Sequence, residues 1–479
     1  MDCGIFGIVE KKLRLRNFKI HRGLGTANQA FNEQILNEMG EIGWKIFYAL
    51  KGLQHRGDAS CGMAVSDNAA VGHDRYSTSG VVNRANIQPI EGNFRGCPFA
   101  LGHNGNLVNI LELKIELAKS GVILEEEASD TRIIVKLIET SAREDFFEAV
   151  QETLPKLKGA FSLIILFRDK IIGVKDPFGI RPLCFGESDS CFALSSESCA
   201  LDHLGIELVK EIEPGELILI DAKGAHSKKW AANTKKKICL FEFIYFARPD
   251  SVIDGVPVYR AQKLMGRFLA QEHPRAVILA EAIVPILDSA KMAGHGFHEF
   301  TNIILLEEAL FRGHFTFEKR TFLQDEPDYR KLGVRLKFNP IKFDIGGKRV
   351  IVIDDSIVKG TTSPVVVNLL KSSKKLYGKV FEGAGEVYFL VASPPYRFPC
   401  YYGIDTGRIN EEPIAQVLEG DIEKVREWIG ADYLGYLSLE NTIRSVTESD
   451  LNSRLCSSDF CAACFTGDYP IRPEGERNV

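Results

Sequence analysis

The chain has 479 residues, which at roughly 150 per domain sets an expectation of two or three domains and excludes a small disulfide-stapled scaffold. Apolar residues at 45% and charged residues at 26% sit near the globular average, which excludes a largely disordered or low-complexity chain. With 59 Lys+Arg against 64 Asp+Glu the net charge is −5, so no global basic field exists to hold nucleic acid or anionic lipid, and a polyanionic ligand has to be gripped locally.

Met1 to Glu10 has no basic start and meets a charge after a short apolar run, unlike a secretory leader. The longest apolar runs, such as Leu163 to Phe167 and Val350 to Ile353, fall far short of the ~18 residues of a membrane span. A cytoplasmic protein with no nucleic-acid and no membrane partner is therefore expected. Its eleven cysteines then read as core residues, metal ligands or nucleophiles rather than disulfides.

Along the first half, short apolar runs predict strands at Cys3 to Val9, Ala160 to Leu166, Ile171 to Val174, Cys191 to Leu194 and Glu216 to Ile220. Helical periodicity falls at Ala30 to Gly52 and at Asp130 to Ala142, the second with Ser129 or Asp130 as N-cap. The polar, Lys-rich stretch Ser227 to Lys237 marks a domain boundary. Beyond it, the buried-looking strands Ala282 to Pro285, Val350 to Ile353 and Val387 to Val391 alternate with the helices Val258 to Glu272 and Ser363 to Lys371, the signature of a parallel sheet. Helices are also expected at Asp421 to Ile429 and Leu439 to Thr447.

The most informative segment is Val350-Ile351-Val352-Ile353-Asp354-Asp355-Ser356-Ile357-Val358-Lys359-Gly360-Thr361-Thr362. A buried strand ends in two acids, and a Gly-Thr-Thr turn opens the next helix, where backbone N–H groups and hydroxyls make a phosphate pocket. The acids would repel that phosphate. They suit sugar hydroxyls or Mg²⁺ at the mouth of the sheet, so the spacing fits a phosphorylated ribose.

At the other end, removal of Met1-Asp2 would give Cys3 a free α-amino group to serve as general base, with a pKa near ~7.7–8. A cysteine on a buried strand is also at home as plain core. Four further segments follow: Leu53-Gln54-His55-Arg56-Gly57, Gly72-His73-Asp74-Arg75-Tyr76-Ser77-Thr78, Gly102-His103-Asn104-Gly105-Asn106-Leu107 and Ser129-Asp130-Thr131. In order, they resemble the N-terminal-nucleophile glutamine amidotransferase domain. Joined to the Asp-Asp loop, to Asp176-Pro177-Phe178-Gly179-Ile180-Arg181-Pro182-Leu183, Ser195-Ser196-Glu197-Ser198, Phe246-Ala247-Arg248-Pro249-Asp250-Ser251 and Ser393-Pro394-Pro395-Tyr396-Arg397-Phe398-Pro399-Cys400, they resemble the glutamine phosphoribosylpyrophosphate amidotransferases over nearly the whole chain.

That resemblance implies an α+β N-terminal-nucleophile hydrolase domain of four αββα layers over residues 3–230, then an α/β type I phosphoribosyltransferase domain with a parallel sheet and a cysteine-bearing tail over 238–479. It implies Cys3 as the nucleophile on glutamine, Asn104 and Gly105 as the oxyanion hole, and Arg75 and Asp130 as the clamp on the amino-acid zwitterion. For 5-phosphoribosyl 1-pyrophosphate it implies Asp354, Asp355, Ser356, Lys359, Gly360, Thr361 and Thr362, with Arg330 and Lys337 on a covering loop and Mg²⁺ at Ser289, Asp354 and Asp355. The Cys461-Ala462-Ala463-Cys464 pair is by itself compatible with redox, zinc or no role; with Cys239 and Cys400 it resembles the ligand set of a [4Fe–4S] cluster, zinc being the alternative occupant. Cys61, Cys97, Cys184, Cys191, Cys199 and Cys456 receive no role. A homo-oligomer, commonly a tetramer, inhibited by purine nucleotides is implied in the same way.

Three departures from the family pattern stand out: His314-Phe315-Thr316-Phe317 in place of cationic residues, the acids Asp325, Glu326 and Asp328 in the covering loop, and Asp58-Ala59 with Asp74 in the glutaminase half. They support two other readings, a divergent paralogue serving another phosphosugar acceptor and a nucleotide-sensing regulator without transfer activity.

Overall fold

The computed structural model describes residues 3–12, 17–75, 84–125, 128–312, 338–404, 406 and 412–473. Among them, two antiparallel sheets form the first half. The first runs in the order Glu207–Glu211, Cys184–Glu187, Cys191–Ser195, Gly4–Glu10, Ala69–Arg75, Ser60–Ser66, Lys19–Leu24. The second runs Gly224–Lys229, Glu216–Asp221, Lys170–Lys175, Gly159–Phe167, Cys97–Leu107, Ile90–Phe94. Alternation along Gly4–Glu10 assigns the layers. Ile5 and Val9 enter the core between the sheets with Ile164, Leu166 and Ile218, whereas Phe6 and Ile8 face the core under the helix Glu33–Leu53. Gly7 lies on the inter-sheet side, where a Cβ would stand 2.7 Å from Ile164 Cγ2, so the strand comes closer to its facing sheet than any side chain permits.

The outer face of the second sheet packs Phe99, Phe161 and Leu163 against the helices Ile110–Lys119, Asp130–Glu139 and Phe146–Thr153. The result is the expected four-layer αββα stack. Ser129 caps the helix Asp130–Glu139 by accepting from Arg132 N, as its sequence predicts, and the helix ends at Glu139, three residues before the expected Ala142. The long helix after residue 30 is less regular than its periodicity: Phe31 and Asn32 are extended, and Gly40 sits at φ +74° inside Glu33–Leu53.

In the second half, five parallel strands run in the order Ile304–Leu305, Ala282–Pro285, Arg349–Asp354, Glu386–Val391, Tyr433–Tyr436. The central strands bury side chains on both faces, as their near-continuous apolar sequences require. Val350, Val352, Val387 and Phe389 meet the helices Thr362–Lys371 and Ile422–Ile429; Ile351, Ile353 and Leu390 meet Val258–Glu272 and Lys291–Thr301. The C-terminal residues Phe460 to Phe465 join that second core beside Phe241 and Tyr396.

The two halves meet at a pair of acids, Glu211 and Asp254. Glu211 Oε1 accepts from Asp254 N at 3.0 Å, and burial together with the Asp254 carboxylate pushes Glu211 up to about 8. A carboxyl whose folded pKa lies above its unfolded value binds more protons in the native state. Its stabilising contribution is complete below the unfolded value of about 4.3 and is lost as pH rises through the folded value. The protein is therefore expected to melt at a lower temperature near pH 9 than near pH 6, and Glu211→Gln to flatten that difference in thermal scans.

Candidate active site

The strand pairing around Gly4 assembles the first site. Gly4 lies opposite Asp74 in the antiparallel ladder, which sets Arg75 beside the buried Cys3. Burial lowers the Arg75 pKa, while the nearby Cys3 and Asp130 act in the opposite direction. Asp130 begins its helix, where the positive end of the helix dipole favours an anion. Its Oδ2 accepts from Leu107 N at 3.3 Å and lies 3.5 Å from His103 Nδ1. Burial alone would raise the Asp130 carboxyl, yet His103 and the N–H groups of Thr131 and Leu107 bring it below the usual range. A buried guanidinium and a buried carboxylate thus stand together at neutral pH, complementary to an amino-acid zwitterion.

Asn104 and Gly105 lie on the strand Cys97–Leu107 of the second sheet. The Asn104 side chain is fully buried, and both its amide atoms lack a hydrogen-bond partner. Such a group is costly unless a ligand completes it, which is what an oxyanion donor requires. Gly105 has φ +140°, and a Cβ there would stand 2.0 Å from the Ala160 carbonyl oxygen. Gly105→Ala is expected to displace the strand, reducing glutamine hydrolysis by about 10²-fold and lowering the melting temperature, both measurable on one preparation.

Asp74 does not disturb this clamp. Neighbouring residues on a strand point to opposite faces, and Asp74 lies across from Cys61, in the core under the first helix layer. Burial pushes its carboxyl well above the usual range, the Cys61 thiol acts the other way, and Asp58 raises it again, so its neutral form is favoured. Tyr76, Ser77 and Thr78 lie outside the described residues.

A second constellation sits at the C-terminal edge of the parallel sheet. Asp354 ends its strand, and Asp354 and Asp355 are 6% and 5% exposed. Asp355 N donates to Asp354 Oδ1 at 3.0 Å, and Ser356 Oγ donates to Asp355 Oδ1 at 2.6 Å. Gly360, at φ +64°, turns the chain into the helix Thr362–Lys371, with Thr361 as its N-cap residue. Ser289 follows the neighbouring strand Ala282–Pro285, whose Pro285 pairs with Ile353. Lys359 belongs to the same turn. Arg330, Lys337 and the departures at 314–317 and 325–328 lie outside the described residues.

The four cysteines of the third group come from three distant stretches. Cys239 pairs with Cys461 in a two-strand parallel ladder, and Cys464 follows in the short helix Ala463–Thr466. Arg397 N and Phe398 N both donate to the Cys464 carbonyl, at 2.9 and 3.0 Å, which brings Cys400 alongside. Burial raises the Cys239, Cys461 and Cys464 thiols, with electrostatic contact to Cys400 raising each further. All eleven cysteines are free thiols. Among the described residues, no three His, Cys, Asp or Glu side chains converge closely enough to hold one metal ion, and no helix is long and apolar enough to cross a membrane.

Sequence reasoning assigned no role to Arg56, Arg181, Glu197 and Glu242, although each stands in or beside a segment singled out above. All four are buried and ion-paired: Arg56 Nη1 with Glu197 at 2.5 Å, Arg56 Nη2 with Glu242 at 3.0 Å, and Arg181 Nη1 with Glu242 at 3.2 Å. Charged residues are almost never fully buried unless paired, but the pairs span up to 186 residues of sequence and have no local signature.

Comparison with known proteins agrees with this geometry. Residues 36–218 match the model of a glutamine amidotransferase domain. The chain is 37% identical to the amidophosphoribosyltransferase of Methanocaldococcus jannaschii, over 90% of this chain and 95% of that one. It is 36% identical to that of Bacillus subtilis, over 88% and 90%. Among solved structures, the B. subtilis glutamine phosphoribosylpyrophosphate amidotransferase complexed with ADP and GMP superimposes with a TM-score of 0.79 at 32% identity, covering 99% of this chain and 98% of that one. A structure described as the allosteric regulatory enzyme of purine biosynthesis gives 0.80 at 32%, covering 99% and 97%. With two antiparallel sheets in its first half, a parallel sheet ending in an acid pair in its second, and relatives alike across nearly its full length, the chain belongs to the amidophosphoribosyltransferase family of enzymes.

Proposed function

We propose that this enzyme hydrolyses glutamine at Cys3 and passes the ammonia to 5-phosphoribosyl 1-pyrophosphate, displacing pyrophosphate to give 5-phosphoribosylamine, the first step of purine biosynthesis. The observation that carries the reading is the buried, unpartnered Asn104 amide beside Gly105, on the second antiparallel sheet, while Cys3 and Arg75 belong to the first and Asp130, at the start of its helix, accepts from Leu107 N of the Asn104 strand. The Cys3 thiolate attacks the side-chain amide carbon; Asn104 and Gly105 N–H stabilise the oxyanion as the thioester forms and ammonia leaves; water then releases glutamate. Excision of Met1-Asp2 supplies the α-amine that accepts the thiol proton, and a mature N-terminus at Cys3 is its mass-spectrometric signature.

In the second site, Gly360, Thr361 and Thr362 at the helix start bind the 5-phosphate, and Asp354 and Asp355 hold the ribose hydroxyls. Arg330 and Lys337, which lie outside the described residues, are assigned to the pyrophosphate by family resemblance alone. The buried acid pair with Ser289 fits Mg²⁺, which when bound offsets the pyrophosphate charge. Displacement at the sugar C1 places the incoming nitrogen and departing pyrophosphate on opposite faces, so positioning carries much of the rate. Ammonia in bulk water is mostly protonated, hence the transfer has to be internal.

Cys239, Cys400, Cys461 and Cys464 fit a [4Fe–4S] cluster that ties the tail to both edges of the second half. The four thiols share one apolar neighbourhood, and four thiolates suit a [4Fe–4S] cluster, with tetrahedral zinc as the alternative occupant. Eleven free thiols are consistent with a cytoplasmic setting. Purine-nucleotide inhibition and a homotetramer complete the reading, the former in line with the ADP and GMP named for the B. subtilis structure.

The test is incubation with glutamine and 5-phosphoribosyl 1-pyrophosphate under anaerobic conditions. Glutamate and pyrophosphate appearing in equal amounts is the expected result. Glutamate without pyrophosphate would overturn the transfer step in favour of a paralogue acting on another acceptor.

A further inference from the structure

The glutaminase nucleophile is anchored by a charge from the second half of the chain. Cys3 lies just before Gly4, the first residue of its strand ladder, where the sheet's hold on the backbone is weakest. Arg56 Nε donates to the Cys3 carbonyl at 3.0 Å. Its terminal nitrogens Nη1 and Nη2 both reach Glu242, each at 3.0 Å. Glu242 also accepts from Arg181 Nη1 at 3.2 Å, and Arg181 Nε donates to the Tyr402 carbonyl at 2.8 Å. Tyr402 N in turn donates to Cys400 Sγ at 3.3 Å. A continuous line of hydrogen bonds therefore joins Cys3 to the thiol-bearing segment.

Two features make this line stiff. Arg56, Arg181, Glu197 and Glu242 are all at most 1% exposed and carry two positive and two negative charges, so none can move without leaving a desolvated partner. The same thiol-bearing segment also rests on the oxyanion strand. A Cβ at Gly403 would stand 3.2 Å from Arg181 Nη2 and 3.4 Å from Gly105 Cα, and Asn106 Nδ2 donates to the Tyr401 carbonyl at 2.9 Å. Glu242 opens a single π-helical turn, Glu242–Phe246, an uncommon backbone form often found at functional positions.

We propose that Glu242 is a positioning residue for glutamine hydrolysis: it touches neither glutamine nor the thiol, and acts by holding Arg56 against the Cys3 carbonyl while Arg181 and Tyr402 hold it. The inference rests on the reading of Cys3 as nucleophile. It separates attack from binding, because Arg75 and Asp130 form no part of the line. Displacing the Cys3 backbone should lower kcat for glutamine and leave KM nearly unchanged.

The decisive variant is Glu242→Asp in the full-length protein, which retains the charge and withdraws the carboxylate by one methylene; Glu242→Gln would leave two buried guanidinium groups short of a counter-charge and can fail to fold. Three rates are measured: glutamine hydrolysis, inactivation of Cys3 by a glutamine-like chloroketone, and pyrophosphate release driven by added ammonia. The expected result is a loss of about 10-fold or more in the first two, with glutamine KM and the ammonia-driven rate held within about 2-fold. Wild-type kcat and inactivation rate would overturn the inference, as would a parallel fall of all three rates with the melting temperature, the signature of a merely structural contact. Cys3→Ala tells the two readings apart. If it retains glutamine hydrolysis the nucleophile assignment fails; if it is inactive while Glu242→Asp behaves as wild type, only the positioning role fails.

Discussion

Replacing Cys3 by alanine is expected to abolish glutamate release from glutamine, a loss on the order of 10³-fold or more, while pyrophosphate release driven by added ammonia persists. The two activities separate because their residues belong to different sheets. Cys3 precedes a strand of the first antiparallel sheet, whereas Asp354 ends a strand of the parallel sheet. On the proposed mechanism alanine removes the sulfur that forms the thioester, and it leaves the packing almost unchanged, since Cys3 Sγ is small and the fold around Gly4 is set by ladder pairing and by Arg56 at the Cys3 carbonyl. Glutaminase activity above about a tenth of the wild-type level would place the nucleophile elsewhere.

The second large effect is expected at the acid pair. Asp354→Asn and Asp355→Asn preserve shape but remove a negative charge each, and pyrophosphate release should fall by about 10²-fold or more while glutamate release continues. Both side chains are buried and held by short local hydrogen bonds, so the amide will sit where the carboxylate sat. The loss should be deepest at low Mg²⁺ and recover in part as Mg²⁺ is raised, if charge toward the metal is what was removed. Assaying both products in one reaction checks the uncoupling. Equal losses of glutamate and pyrophosphate would show that the acids support the fold rather than the phosphosugar.

Much of this arrangement was readable before any coordinates. The runs Ala282–Pro285, Val258–Glu272 and Leu439–Thr447 form elements with the bounds their periodicity predicts, because burial pattern and caps are local properties. Asp130 was readable both as an N-cap-region acid and as a clamp residue; Ser129 is the residue that caps the helix, and the Asp130 carboxylate accepts from Leu107 N instead. Strand alternation already sets Asp74 and Arg75 on opposite faces in the sequence, and the pairing of Asp74 with Cys61 identifies the face that Asp74 takes. The irregularity at residues 31 and 32 was missed because apolar spacing continues through it while the backbone does not.

By itself the sequence determined the chemistry available: which residue types stand in which local context, a thiol before a buried strand, two acids after another, a glycine where φ is positive. Short-range patterning carries that information because strand alternation, capping and turn conformation depend on a few neighbouring residues. Only the tertiary structure decided which of these groups stand together in space, including those such as Arg56 and Glu242 that no local pattern pairs. The four thiols, the Arg75 and Asp130 pair, and the line from Cys3 through Arg56, Glu242 and Arg181 to Tyr402 are each assembled from segments far apart in the chain. Their partners are chosen by the cost of burying a charge or a polar atom alone, and that cost exists only once the layers have closed over them.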